Sequence, residues 1–305
     1  MAWPCDHLTF DTDIHRALKY PMHDHPARSI LITGCSSGIG YCCAHGLARR
    51  GWQVIASARK PDDVARLRAE GLTAVRLDLD DPERIAVGLA ETLAATGGRL
   101  DALFNNGAFG LPGAVEDLSR DALRAQLETN LLGWHDLTCR VIPLMRRQGH
   151  GRIIQNSSVL GLVALPYRGA YVASKFALEG LTDTLRLELA GSGISVSLIE
   201  PGPILSRFRH NARLAFERLV DPSRSPHQAA YQRMAERLET EGPAQPFTLP
   251  AEAVLKPLIH ALESPRPRPR YYVTMPTHLL GVLRRLLGTR GMDRLVNRIS
   301  RGGRG

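Results

Sequence analysis

From Ser29 onward the sequence alternates between two hydrophobic periods, and few architectures accept that rhythm. "SILIT" (29–33) is a short apolar run that ends in glycines. "GIGYCCAHGLARRG" (38–51) has a helical pattern closed by Gly51, and "WQVIASA" (52–58) is strand-like again. "PDDVARLRAEG" (61–71) has proline near its start, acids in its first turn and a terminal glycine, the punctuation of a helix. "LTAVRLDL", "LDALFNN", "GRIIQNSS" and "GISVSLIEPG" read as further strands, separated by helical stretches that include 119–148 and 168–190. Strands joined by helices run parallel, and a parallel sheet is covered by helices on both faces. Such α/β sheets bind ligands beyond the carboxyl ends of their strands, which is where the unusual residues fall.

Composition removes several alternatives. The 305 residues are 44% hydrophobic and 23% charged, ordinary for a globular protein. No apolar run approaches the ~20 residues of a membrane span. "MAWPCDHLTFDTDIHRALKY" carries acids and no apolar core, so it is not read as a secretory signal. Five cysteines, with Cys42 and Cys43 adjacent and no CxxC pair, argue against a disulfide framework or zinc site and for a reducing, cytoplasmic compartment. "HDH" (23–25) has no companion ligands at useful spacing and reads as solvated loop histidines, so no metal is expected. The formal charge of +9 is concentrated in one tail: from Arg284 onward there are seven arginines and one acid. That distribution, without interleaved aromatics, argues against nucleic-acid binding.

"TGCSSGIG" (33–40) joins the first strand to the first helix. Gly34, Gly38 and Gly40 permit positive φ and close approach of backbone N–H groups to an anion, and the helix N-terminus adds partial positive charge. The loop reads as a pyrophosphate cradle with spacing GxxxGxG. The second strand ends in "SARK", with Ala58 and Arg59 where a ribose-binding acid would stand. A guanidinium there accommodates a 2′-phosphate, so NADP(H) is expected over NAD(H). Ser36 and Ser37 add hydroxyl donors. Farther on, "YVASK" sets Tyr171 one helical turn before Lys175. By itself that pair is equally a core aromatic and a solvated charge.

Taken together, TGCSSGIG, Asp78, NNGA (105–108), Asn130 in "ETNLLG", Ser158 in "NSSVLG", YVASK and "PGPILS" (201–206) resemble the short-chain dehydrogenase/reductases over about residues 28–275. The wording is most similar to the branch with 17β-hydroxysteroid and retinol dehydrogenases and their bacterial relatives. The resemblance implies a Rossmann-type doubly wound parallel sheet of about seven strands, order 3-2-1-4-5-6-7. It implies one catalytic domain over 29–275, an N-terminal extension over 1–28 and a basic C-terminal helix over 276–305. It makes Tyr171 the general acid/base, Ser158 the donor that polarises the carbonyl, and Asn130 the holder of a proton-relay water. Lys175 lowers the tyrosine pKa and holds the nicotinamide ribose. Gly34, Ser36, Ser37, Gly38, Ile39, Gly40 and Arg59 would contact the cofactor's phosphates and adenosine, with Asp78 and Leu79 at the adenine. Asn105 and Gly107 would wall the ribose, and Pro201, Gly202, Ile204 and Ser206 the nicotinamide; Tyr171 and Lys175 contact the cofactor too. Ser158, Val163, Leu165, Pro166 and Tyr171 would line the substrate crevice. The family's usual NNAG here reads NNGA, and Ser206 replaces a threonine.

No Arg or Lys between Ser158 and Tyr171 is placed to hold an anion, so a small apolar aldehyde, ketone or alcohol is the expected substrate; steroid, retinoid and simple aldehyde are not separable. A non-catalytic NADP(H)-binding redox sensor is the rival reading, but such proteins commonly lose the tyrosine or the lysine. Residues 204–247, polar and interrupted by prolines, are expected as a mobile insertion over the crevice. From Thr277 a helix sets leucines and valines against arginines. Three readings stand for it: packing on the substrate loop or on a partner subunit of a homo-oligomer, peripheral contact with an anionic membrane, or a solvated tail.

Overall fold

Successive residues of the first strand face opposite ways, and both faces are buried. Ile30 and Ile32 enter one apolar cluster, whereas Leu31 enters another on the far side of the sheet. The computed structural model describes residues 27–239, 242 and 246–302. The "HDH" run and nearly all of the 1–28 extension lie outside the described residues.

Seven strands form the sheet: β1 (Ser29–Ile32), β2 (Gln53–Ala58), β3 (Thr73–Arg76), β4 (Ala102–Asn105), β5 (Gly151–Asn156), β6 (Ile194–Glu200) and β7 (Arg270–Tyr272). Their order is 3-2-1-4-5-6-7 and every pair is parallel, as expected. The described helices are α1 (Gly38–Arg49), α2 (Pro61–Ala69), α3 (Pro82–Ala95), α4 (Arg120–Leu127), α5 (Gly133–Gln148), α6 (Gly169–Glu188), α7 (Phe208–Leu219), α8 (Gln228–Glu239), α9 (Leu255–Glu263), α10 (Met275–Leu286) and α11 (Thr289–Gly302). α1, α2 and α9 supply Leu47, Leu67 and Leu258 to one face. α3, α5 and α6 supply Ile85, Val141 and Leu178 to the other.

Three stretches depart from the sequence reading. The helix over 119–148 contains a π-helical turn, Glu128–Leu132, between α4 and α5. Within 204–247, whose residues 240, 241 and 243–245 lie outside the described ones, α7 and α8 form and are packed rather than mobile over the crevice. Ala212 and Ala215 of α7, with Tyr231, Met234 and Leu238 of α8, repeat at helical spacing and pack on Leu111, Ala122 and Ala170. Pro222 and Pro226 fall between these helices, where they interrupt nothing. Finally, the C-terminal helix is two helices, broken at Gly288.

Gly133 shows how closely the layers approach. A Cβ at this position would overlap the Leu79 carbonyl oxygen and lie 2.8 Å from its carbon. Neither backbone can give way. Gly133→Ala is therefore expected to destabilise the fold by roughly 1–3 kcal/mol or more, read as a lower urea midpoint with an unchanged slope.

Candidate active site

The strand order reverses between β1 and β4, so the loops that follow them part and leave a crevice. The β1 loop turns at Gly34 (φ 72°) and enters α1 at Gly38 (φ 59°). A Cβ on Gly34 would lie 2.5 Å from Gly107 Cα, and one on Gly40 would overlap the Gly34 carbonyl. These glycines let the loop close on itself and on the NNGA segment. Ser37 precedes α1 without capping it by its side chain, and the first turn of α1 contains no acid. The turn's N–H groups and partial positive charge suit a diphosphate. Ile39 is half-buried, as are Ser36 and Ser37. Ser206 lies across the same loop: its Cβ is 2.9 Å from where a Gly38 Cβ would be. Ile204 is anchored beside it by a bridge to Leu249, and Val159 N–H donates to the Pro201 carbonyl at 2.8 Å. Gly202 leaves no room for a side chain against Thr274.

At the far end, Arg59 is exposed immediately after β2, with Ala58 buried before it. Asp78 Oδ1 accepts the Asp80 N–H at 3.2 Å, and Leu79 packs under Gly107. A nicotinamide dinucleotide fits this run: a helix terminus without a side-chain cap for its diphosphate, and an exposed arginine in place of an acid directly after β2.

Asn105 departs from expectation. Its side chain is fully buried and donates to Thr138 Oγ1 of α5 at 2.9 Å, away from the β1 loop. Strand alternation turns its neighbour to the site instead. Asn106 Nδ2 donates to the Thr33 carbonyl at 2.9 Å, while the Asn106 and Gly107 N–H groups donate to Thr33 Oγ1. Asn156 Nδ2 donates to Asn106 Oδ1 at 2.8 Å, and Lys175 Nζ donates to the Asn156 carbonyl at 2.8 Å. A continuous ladder thus runs from the lysine of α6 across β5 and β4 to the loop after β1. Thr33, Asn106 and Asn156 are absent from the residues singled out by sequence. Period-two alternation through "NNGA" was the available signal.

Ser158, Tyr171 and Lys175 converge at the other end of this ladder. Tyr171, in the first turn of α6, is 9% exposed, and Ser158 stands at the end of β5 facing it. Ser158 Oγ accepts the Leu160 N–H at 3.1 Å, which holds the serine in place. Lys175 is fully buried, with Nζ 4.2 Å from the centre of the Trp134 ring and 5.7 Å from that of Tyr171. Trp134 in turn donates its indole N–H to the Gly107 carbonyl at 2.7 Å, so the NNGA segment and the lysine share one aromatic support. Asn130 sits in the π turn with its amide engaged at both ends by Phe109, donating to the carbonyl at 2.8 Å and accepting the N–H at 3.1 Å.

Burial sets the direction of both ionisations in this structure. Burial pushes the Tyr171 phenol up to about 12, against a lowering hydrogen bond from Ser158. Burial also brings Lys175 down to about 7, opposed by the charge of Glu179. Removal from water penalises the phenolate and the ammonium alike.

The substrate residues divide. Pro166 is exposed and Leu165 half-buried, but Val163 is buried in a cluster with Met292 and Val296 of α11. Val163 supports the crevice wall from behind. Phe208 of α7, in a stretch without a readable code, meets Tyr171 edge-on with ring centres 5.4 Å apart.

Beneath the site lies a buried ionic cluster that the sequence reading passed over. Arg270 of β7 donates to Glu179 at 2.8 Å and to both oxygens of Asp183, and its Nε lies 3.1 Å from Glu200. Glu179 is one turn beyond Lys175, Glu200 immediately precedes Pro201, and Ser157 precedes Ser158. Ser157 Oγ and Glu179 converge under Gly161, where a Cβ would lie 2.7 and 2.9 Å from them. Burial, then the charge of Glu179, pushes the Glu200 carboxyl up to about 9.

Residues 28–215 match the family model "short chain dehydrogenase". An uncharacterized oxidoreductase of Escherichia coli, YbbO, is 45% identical over 282 residues, covering 92% of this chain and 98% of its own. Human 17-beta-hydroxysteroid dehydrogenase type 1 is 34% identical, covering 80% of this chain and 77% of its own. A short chain dehydrogenase/reductase from Burkholderia phymatum, solved in complex with NAD, superposes with a TM-score of 0.72 at 27% identity, covering 87% of this chain and 94% of that one.

A Glu200 pKa raised above that of the unfolded chain makes folding retain a proton that the unfolded carboxyl loses. Its contribution therefore falls as pH rises from the ordinary carboxylate range to about 9. Glu200→Gln, which mimics the protonated acid, is expected to remove that decline. Denaturation midpoints of the variant and the parent should diverge progressively between pH 5 and pH 9, with the variant the more stable.

Proposed function

The chain belongs to the short-chain dehydrogenase family, oxidoreductases of CH–OH and carbonyl groups with a nicotinamide cofactor, and on that premise we propose that it reduces an apolar aldehyde or ketone with NADP(H). The observation that carries this reading is the convergence of Ser158, Tyr171 and Lys175 at a crevice whose far end presents Arg59. When bound, NADP(H) supplies or takes up the hydride. Tyr171, kept protonated by its dry surroundings, gives its proton to the carbonyl oxygen, and Ser158 donates a hydrogen bond to the same atom. Lys175, brought down to about 7 by burial, favours by its charge when protonated the phenolate left behind on Tyr171. Asn130 serves the site by fixing Phe109. Phe208 and the α7–α8 pair exclude water above the phenol. Arg59 supports the 2′-phosphate form of the cofactor, because a carboxylate there would repel it. The likeness to a hydroxysteroid dehydrogenase favours hydroxysteroid- or retinol-type compounds as a second substrate class. A homo-oligomer is supported by α6, where Phe176 and Leu187 are exposed on one side of the helix.

Tyr171→Phe is expected to lower carbonyl reduction by about 10²–10⁴-fold, while NADPH still raises the melting temperature. Loss of the thermal shift together with activity would instead mark a structural lesion. Arg59→Asp should lower NADPH use relative to NADH by at least about tenfold, the scale of a charge-assisted hydrogen bond, measured as the ratio of kcat/KM values. An unchanged ratio would remove Arg59 from the cofactor site.

A further inference from the structure

A surface helix ordinarily carries one apolar stripe and buries it against the body of the protein. α10 carries two. Its inner stripe, with Leu280, Leu283 and Leu287, packs together with Met292 and Val296 of α11 on the segment Val159–Leu165. That contact meets the packing requirement of the helix. Met275, Leu279, Val282 and Leu286 form the second stripe, at i, i+4, i+7 and i+11, and are 47, 51, 52 and 74% exposed. Nothing in the fold of the described chain uses this outer face.

The charges around the stripe are of one sign. Arg284, Arg285, Arg290, Arg294 and Arg298 are all exposed, and Asp293 is the only acid between Met275 and Ser300. None of the five arginines forms an ion pair with another described residue. A second copy of the chain placed here by a two-fold axis would bring this basic patch against itself. A surface of opposite charge and apolar interior is the complement.

We propose that the outer face of α10, with the arginines of α11, docks the protein on an anionic lipid bilayer. The stripe from Met275 to Leu286 enters the headgroup–acyl boundary and the arginines meet the phosphates. No described helix is long and apolar enough to cross a membrane, so the contact is peripheral. Because the inner stripe of the same helix rests on the segment between Ser158 and Tyr171, docking sets the crevice next to the bilayer. On the reading of function above, that is where apolar carbonyl compounds concentrate.

The test is flotation of the full chain with vesicles of phosphatidylcholine alone or mixed with phosphatidylglycerol. Two variants accompany it: Leu279→Gln/Val282→Gln/Leu286→Gln and Arg294→Gln/Arg298→Gln. The parent should float with the anionic vesicles only, and high salt should release it. The arginine variant should bind about thirtyfold more weakly, at ~1 kcal/mol per basic residue, and the apolar variant at least about tenfold more weakly. Melting temperatures of both variants should match the parent, since every altered side chain is exposed. Absent flotation, flotation independent of vesicle charge, or equal binding by both variants overturns the proposal. A parent dimer that the apolar variant dissociates, with no flotation, overturns it in favour of a second copy. Vesicle binding by a chain inactive on all carbonyl compounds would overturn the proposed function and leave the docking surface standing.

Discussion

The hydrogen-bond ladder from Lys175 through Asn156 and Asn106 to Thr33 holds the site together. It crosses the carboxyl ends of β5, β4 and β1, where the chain changes direction across the sheet. Each rung is short and buried or half-buried, so a shift at one strand end propagates to the next. The phosphate-facing loop and the lysine belong to segments separated by more than a hundred residues, yet their relative position is set by three polar side chains. Trp134 braces the same line from below, by its ring face to Lys175 and its N–H to Gly107. The glycine at 107 suits this arrangement: it approaches Gly34 closely and leaves its carbonyl free for the indole.

Dryness governs the ionisable groups. Burial is the largest cause that raises Tyr171 and Glu200 and lowers Lys175, and at Glu200 the charge of Glu179 adds to it. The Arg270 cluster keeps that cost bounded, since one guanidinium faces Glu179, Asp183 and Glu200. It also ties β7 to α6 and to the end of β6, the elements that carry Lys175 and the Pro201–Gly202 turn. Tyr171, Lys175 and the Arg270 cluster are thus joined through α6, with Glu179 and Glu200 buried and Arg270 and Asp183 partly exposed.

The segments that differ most from expectation lie outside the sheet. α7 and α8 close over Tyr171 through Phe208, and α10 and α11 press on Val159–Leu165 from the other side. Between them they define the crevice mouth. Val163 moves accordingly from crevice lining to support, because its partners Met292 and Val296 come from a part of the chain far removed in sequence.

The sequence by itself determined the alternating rhythm of strands and helices and the glycine loop, because each depends on local periodicity and spacing. Ser158, Tyr171 and Lys175 stood out as a set only through the family resemblance, since Ser158 and the Tyr171–Lys175 pair lie on different elements. Arg59 was legible from local spacing, since it follows a strand end directly. Tertiary structure alone decided that Asn106 rather than Asn105 faces the loop, that α7 and α8 dock on Leu111, Ala122 and Ala170, and that α10 has an outer as well as an inner apolar face. It also decided the sign of the Tyr171 shift. Orientation about a strand or helix and exclusion of water depend on what packs against the element, and those partners are remote in sequence.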